Sequence, residues 1–181
     1  MKPSRLALFA LLLFSLLGCT LINQLFPSDT TAEPQPISTP TPLASAKTTI
    51  FLVALEDNGA SGMLVGCGDS LIPVPYGEWY PTVTFRQVAY ALTDFLALHD
   101  QFYGESGLYN ALYQSDLTVQ NVNIDANGFA TVDLSGQLVL GGVCDGPRVQ
   151  AQLEQTILQF GVTGVAVTIN GTPLENLISG Q

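Results

Sequence analysis

One histidine and five Lys and Arg residues are all that 181 positions offer in basic side chains, against 15 Asp and Glu. A single His excludes most zinc enzymes and makes histidine-dependent acid–base catalysis hard to assemble. The formal net charge of −10, with a pI near 4.1, argues against a nucleic-acid binder, because phosphates must be neutralised by Lys and Arg. The three cysteines include no Cys-x-x-Cys pair, which disfavours a redox-active dithiol. The apolar run Leu6–Leu17 is shorter than the roughly 20 residues of a stable membrane span. What is plentiful is apolar surface. A hydrophobic fraction of 47% excludes global disorder, and the length suits one domain plus accessory segments.

The composition divides the chain into three parts. Lys2 and Arg5 precede Leu6–Leu17, apolar except for Ser15, and Gly18-Cys19 follows. A basic start, a short apolar stretch and a small residue describe an export signal. Leu16-Leu17-Gly18-Cys19 resembles the lipobox of bacterial lipoproteins. The resemblance implies removal of residues 1–18 and a diacylated Cys19 holding the protein on a membrane from the extracytoplasmic side. Only Lys47, Arg86 and Arg148 then remain basic against all 15 acids, a net −12, so the lipid rather than charge would do the anchoring. Residues 19–46 carry Pro27, Pro34, Pro36, Pro40 and Pro42 among Ser, Thr and Ala, and read as an extended tether.

From residue 47 to 181 the pattern is globular. Thr48–Leu55 reads as a buried strand ending in Glu56-Asp57-Asn58-Gly59, and Leu71–Pro75 as a proline-broken edge strand or arm. Thr84-x-x-Gln87 has the form of a capping box before a helix with Phe85, Val88, Ala89, Leu92, Phe95 and Leu96 on its inner face, running to His99. Leu117–Asp125 and Phe129–Leu134 flank Asn127-Gly128, which predicts a type I′ hairpin. Pro147 suits the first turn of a second helix capped by Asp145 or Gly146. Its buried stripe is Val149, Leu153, Thr156, Ile157 and Phe160, with Gly161 as a left-handed stop. Val165, Val167 and Ile169 alternate into Asn170-Gly171. The order predicts an α+β domain, a mostly antiparallel sheet with two helices on one face.

Cys67 and Cys144 sit in glycine-rich surroundings, and export makes a disulfide between them the leading expectation, set against two inert buried thiols. Gly68-Asp69-Ser70-Leu71 spells the signature of GDSL-type esterases. That family needs a C-terminal Asp-x-x-His to activate its serine, and no His follows His99, so the match reads as coincidence. His99 fits a surface position near a helix C-terminus. Asp125-Ala126-Asn127-Gly128 lacks the full calcium-loop pattern and its distal Glu, and no metal site or cofactor is expected. Tyr76, Trp79 and Tyr80 open a run of aromatics reaching Tyr113. They serve either core packing or a binding surface for a small ligand or peptidoglycan.

Residues 115–173 carry a recognisable order: Leu117-Thr118-Val119, Val122-Asn123-Ile124, Gly128-Phe129-Ala130, Val132-Asp133-Leu134-Ser135, Thr156–Phe160, Val165-Ala166-Val167 and Asn170-Gly171-Thr172-Pro173. This resembles the GerMN domain of sporulation and spore-germination proteins and of other bacterial envelope lipoproteins. The resemblance implies an α+β fold similar to ring-building motifs, a scaffolding role with an envelope protein partner, and no catalytic residues. Asp133 is expected to bond nearby backbone. The sequence therefore points to a non-enzymatic, lipid-anchored envelope module. A ligand- or peptidoglycan-binding module is the alternative, and the esterase a remote one.

Overall fold

The computed structural model describes residues 46–79 and 83–179, all within one compact unit. The signal segment, Cys19, the tether and Tyr80 lie outside the described residues. The first apolar run forms strand β1 (Ala46–Ala54), with Ile50, Leu52 and Val53 fully buried. It pairs antiparallel with β3 (Asp69–Trp79), from Thr48 opposite Tyr76 to Ala54 opposite Ser70. Strand β2 (Met63–Val65) covers the far side of β3 only over residues 69–71. Pro73 and Pro75, two residues apart, therefore direct their missing N–H groups to a side with no strand to lose a bond to. The expected edge character holds from Ile72 onward. Strands β4 (Phe102–Tyr103) and β5 (Leu108–Tyr109) complete the sheet in the order β2-β3-β1-β5-β4.

A second sheet holds β6 (Asp116–Ile124), β7 (Phe129–Gln137), β8 (Gly164–Ile169) and β9 (Thr172–Pro173) in that order. The expected sheet is thus divided in two, and the α+β class stands. Only β7 and β8 run parallel, because a helix crosses between them. That helix is α2 (Asp145–Leu158). The others are α1 (Thr84–Leu96) and the short α3 (Leu174–Ile178).

Helix α1 packs on β6 and on β3 and β1, and α2 packs on β1, β8 and α1, so both helices tie the two sheets to one apolar cluster. Val88, Leu92 and Phe95 of α1 and Val149, Leu153 and Ile157 of α2 are fully enclosed in it. β5 reaches β1 only at Val53 opposite Tyr109, which leaves the β1 backbone at Thr49 and Phe51 short of a strand neighbour. Glutamines of α2 and its C-cap take that place. Gln159 accepts the Thr49 N–H at 3.0 Å and donates to the Thr49 carbonyl at 2.6 Å. Buried Gln152 donates to the Phe51 carbonyl at 2.7 Å and accepts the Ala111 N–H at 3.0 Å. The amide thus satisfies two backbone groups that would be costly to bury unpaired.

Local details depart from the sequence expectations in instructive ways. The capping box does not form: Val83 is the N-cap of α1 and no side chain caps it. Phe85 is largely exposed and Ala91 takes its place on the buried face, while the helix ends at Leu96 and leaves His99 exposed beyond it. Cys144, rather than Asp145 or Gly146, occupies the N-cap position of α2. Between β6 and β7 the Gly128 N–H bonds the Asp125 carbonyl, and φ is positive at Gly128 but not at Asn127. A three-residue loop with a left-handed glycine replaces the expected type I′ turn. The Asp125 carboxylate accepts the Asn127 and Phe129 N–H groups, which accounts for the calcium-like spelling. Two successive positive φ values, the type I′ signature, occur at Asn170-Gly171, which joins β8 to β9, and also at Asn58-Gly59. Asp133 bonds side chains, Thr168 at 2.8 Å and Asn121 at 3.3 Å, rather than backbone.

Candidate functional site

Two glycine-rich loops, 66–69 and 141–144, are brought together by a disulfide between Cys67 and Cys144 with a Cα–Cα distance of 5.8 Å. Cys67 stands in the left-handed region at φ +64°, an unusual conformation for a residue with a Cβ. Its partner starts α2, so the bridge fixes the entry of the helix against the start of β3.

Directly behind the bridge lies a buried ionic cluster. Asp69 is fully buried and Asp145 is 2% exposed. Arg148 reaches both, with Nε 2.7 Å from Asp69 Oδ2 and Nη1 3.1 Å from Asp145 Oδ1. The remaining oxygens are occupied as well: Asp69 Oδ1 accepts the Glu56 N–H, and Asp145 Oδ2 accepts the Gly141 N–H, both at 2.8 Å. Tyr109 donates its hydroxyl to Asp145, and its ring lies under the Arg148 guanidinium at 5.3 Å. Burial opposes the charge of Arg148, but its hydrogen bonds and attraction to Asp69 and Asp145 prevail and raise its pKa. For Tyr109, burial first and then the Asp145 charge push the hydroxyl far above the ordinary tyrosine range.

The Tyr109 shift carries a sign. A raised folded-state value contributes stability that is complete below the unfolded tyrosine value of about 10 and is lost as pH climbs through it toward the folded value. The urea midpoint should therefore fall above about pH 10, and Tyr109→Phe should flatten that fall. Parallel alkaline profiles for the two proteins would count against the assignment.

In front of the cluster is a cleft of about 410 Å³, lined by Gln101, Tyr109, Tyr113, Gln114, the 141–144 loop, Asp145 and Arg148. Sequence reasoning singled out the cysteines and the aromatic stretch but passed over Arg148. The available signal was its rarity, one of three Lys and Arg residues after position 18, placed one helical turn from Asp145. Of the expected aromatic surface, Tyr76 is half-buried and makes an edge contact with Tyr103 at a centroid distance of 6.3 Å. Trp79 ends β3, and Tyr76 is absent from the cleft lining. Tyr109 and Tyr113, 6.0 Å apart, provide the aromatic wall instead.

The GDSL spelling is structural. Ser70 is fully buried and donates its hydroxyl to Asp57 at 2.5 Å, while Asp69 serves the ion pair. Asp57 also takes the Gly59 and Ser61 N–H groups, and these bonds, that of Ser70 foremost, hold its pKa below the usual aspartate range. His99 borders a separate cavity with Leu96, Asp116 and Leu117, which does not include Ser70. No group of three His, Cys, Asp or Glu side chains suited to a metal ion occurs among the described residues.

These features define an α+β domain stapled at one end by a disulfide, with an open polar cleft beside a buried ionic cluster. A family model for Germane domains, described as sporulation and spore germination, matches residues 61–175, and the chain belongs to that GerMN-domain family. No curated protein matches it. Among solved structures, the first GerMN domain of the sporulation protein GerM from Bacillus subtilis is similar at 20% identity, covering 70% of this chain and 86% of that one, with a TM-score of 0.43.

Proposed function

We propose that the protein is an extracytoplasmic lipoprotein, anchored through Cys19, whose GerMN domain acts as a non-enzymatic interaction module in the bacterial cell envelope. Membership of a sporulation and germination family supports a role of that kind. The observation that carries the reading is the Cys67–Cys144 disulfide, since such bridges persist in oxidising, extracytoplasmic compartments and are rare in reducing ones. The lipobox-like Leu16–Cys19 and the proline-rich tether agree with it. A buried Ser70 held by Asp57 supports a role without hydrolysis.

In fractionated cells, the wild-type protein should sediment with membranes and Cys19→Ala should not. Crosslinking in intact cells should recover a specific envelope protein with the wild type. Equal fractionation of the two forms would overturn the anchor, and recovery of no partner would overturn the interaction role.

A further inference from the structure

We propose that the cleft between Tyr113 and the 141–144 loop is a binding site for a neutral sugar ring. This site goes beyond the protein-interaction role and differs from the Tyr76–Tyr80 surface expected from sequence. Three of its lining residues are strongly buried polar groups in fixed orientations: Asp145 is 2% exposed, Tyr109 7%, and the Arg148 side chain 14%. Its volume of about 410 Å³ lies in the range of small-ligand pockets, with aromatic walls and a few positioned polar atoms as such pockets require.

The charge pattern selects the ligand. Arg148 faces Asp69 and Asp145, so the cluster is net negative by one, in a chain of net −10. An anion entering the cleft would meet that excess. A cation would find Asp145 as the only carboxylate in the lining, with both its oxygens already taken by Arg148, Tyr109 and Gly141. What remains available is neutral hydrogen bonding beside an aromatic face. Arg148 Nη2 makes no hydrogen bond among the described residues and is not a buried orphan, so it keeps some contact with solvent, and Arg148 is among the residues that line the cleft. Exposed Gln101 and Gln114 also line the cleft, the Gln114 amide donating to the Tyr113 hydroxyl. A sugar ring matches this set: its C–H face packs on Tyr113, and its hydroxyl or acetamido oxygens accept from Arg148 and the amides.

The loop provides a clean probe. A Cβ placed on Gly142 meets nothing within 4 Å, and its backbone is not in the left-handed region, so a large side chain can be added to this lining residue without straining the fold. The purified full chain is titrated with the neutral tetramer of N-acetylglucosamine and with glucuronic acid, observed by saturation transfer to the sugar. Saturable binding of the tetramer is expected, with weaker binding of the acid. Tyr113→Ala should weaken the tetramer up to about tenfold, as loss of one aromatic contact implies, and Gly142→Phe should weaken it by occupying the cleft, while Phe85→Ala, at another cavity, should not. Purified peptidoglycan distinguishes the sources. Retention on it, lost in Gly142→Phe, places the sugar in the wall, whereas binding of the soluble tetramer alone leaves a free oligosaccharide as the ligand. No saturable binding, or unchanged binding by both cleft variants, overturns the site. Neither result depends on the crosslinking experiment.

Discussion

Arg148→Ala is expected to destabilise the domain by about 3–5 kcal/mol, the usual cost of removing one partner from a buried ionic group. The substitution strands two carboxylates with almost no exposure to water, Asp69 at 0% and Asp145 at 2%. Each keeps a backbone N–H donor, from Glu56 and Gly141 respectively, but neither keeps a compensating charge. The guanidinium also covers the Tyr109 ring, so packing is lost with charge. Two readouts separate these causes. Adding Asp69→Asn and Asp145→Asn to Arg148→Ala should recover part of the loss, because the buried charges are then gone. If urea unfolding of the oxidised protein shows less than about 1 kcal/mol for Arg148→Ala, the cluster behaves as a surface ion pair.

Removing the bridge is the second large effect. Cys67 and Cys144 are separated by 77 residues, and a loop of that size implies about 4–5 kcal/mol from restricting the unfolded chain. The paired substitution Cys67→Ser with Cys144→Ser should lower stability by roughly 2–5 kcal/mol, the range seen for native disulfides. The backbone at Cys67 offers a finer test. Serine there keeps the left-handed conformation at φ +64° with its Cβ, whereas glycine adopts it without penalty. Cys67→Gly with Cys144→Ser should therefore be more stable than the double serine variant by about 1 kcal/mol. Unfolding of the wild type with and without a thiol reductant gives the reference. A midpoint unmoved by reduction would show that the ionic cluster alone holds the two loops.

The cluster and the bridge reinforce one another through position. Cys67 lies two residues before Asp69, and Cys144 adjoins Asp145 four residues before Arg148, so a single closure of the loops sets both interactions. None of these partners is close in sequence except Asp145 and Arg148. Hydrophobic periodicity located the strands and helices because burial imposes a period on each element separately. It could not say which helix face meets which strand edge. Arg148 sits among the residues of α2 whose neighbours Val149 and Gln152 are buried, and only docking of α2 on β1, next to the start of β3, makes it the partner of Asp69.

Errors at the element ends have similar causes. Thr84 and Gln87 spell a capping box, yet the chain enters α1 at Val83 without a side-chain cap. Phe85 belongs to the apolar spacing but falls on the rim, where the core ends, and so remains exposed. Asn127-Gly128 and Asn170-Gly171 look alike in sequence. Asp125 binds the N–H groups after it and shapes a three-residue loop, whereas Asn170-Gly171 must turn within two residues.

The scarcity of basic residues and histidine set limits that the fold did not alter. One His, far in role from Ser70, left the esterase spelling without a base, and the export expected from the N-terminal residues favoured the cysteine pair. Those conclusions follow from composition and local chemistry, which any folded state must respect. The tertiary structure alone decided that the strands divide into two sheets, that glutamines of α2 complete the β1 edge, and that Arg148 stands between two aspartates beside an open cleft. Each depends on contacts between residues tens of positions apart, and such contacts leave no local pattern in the chain.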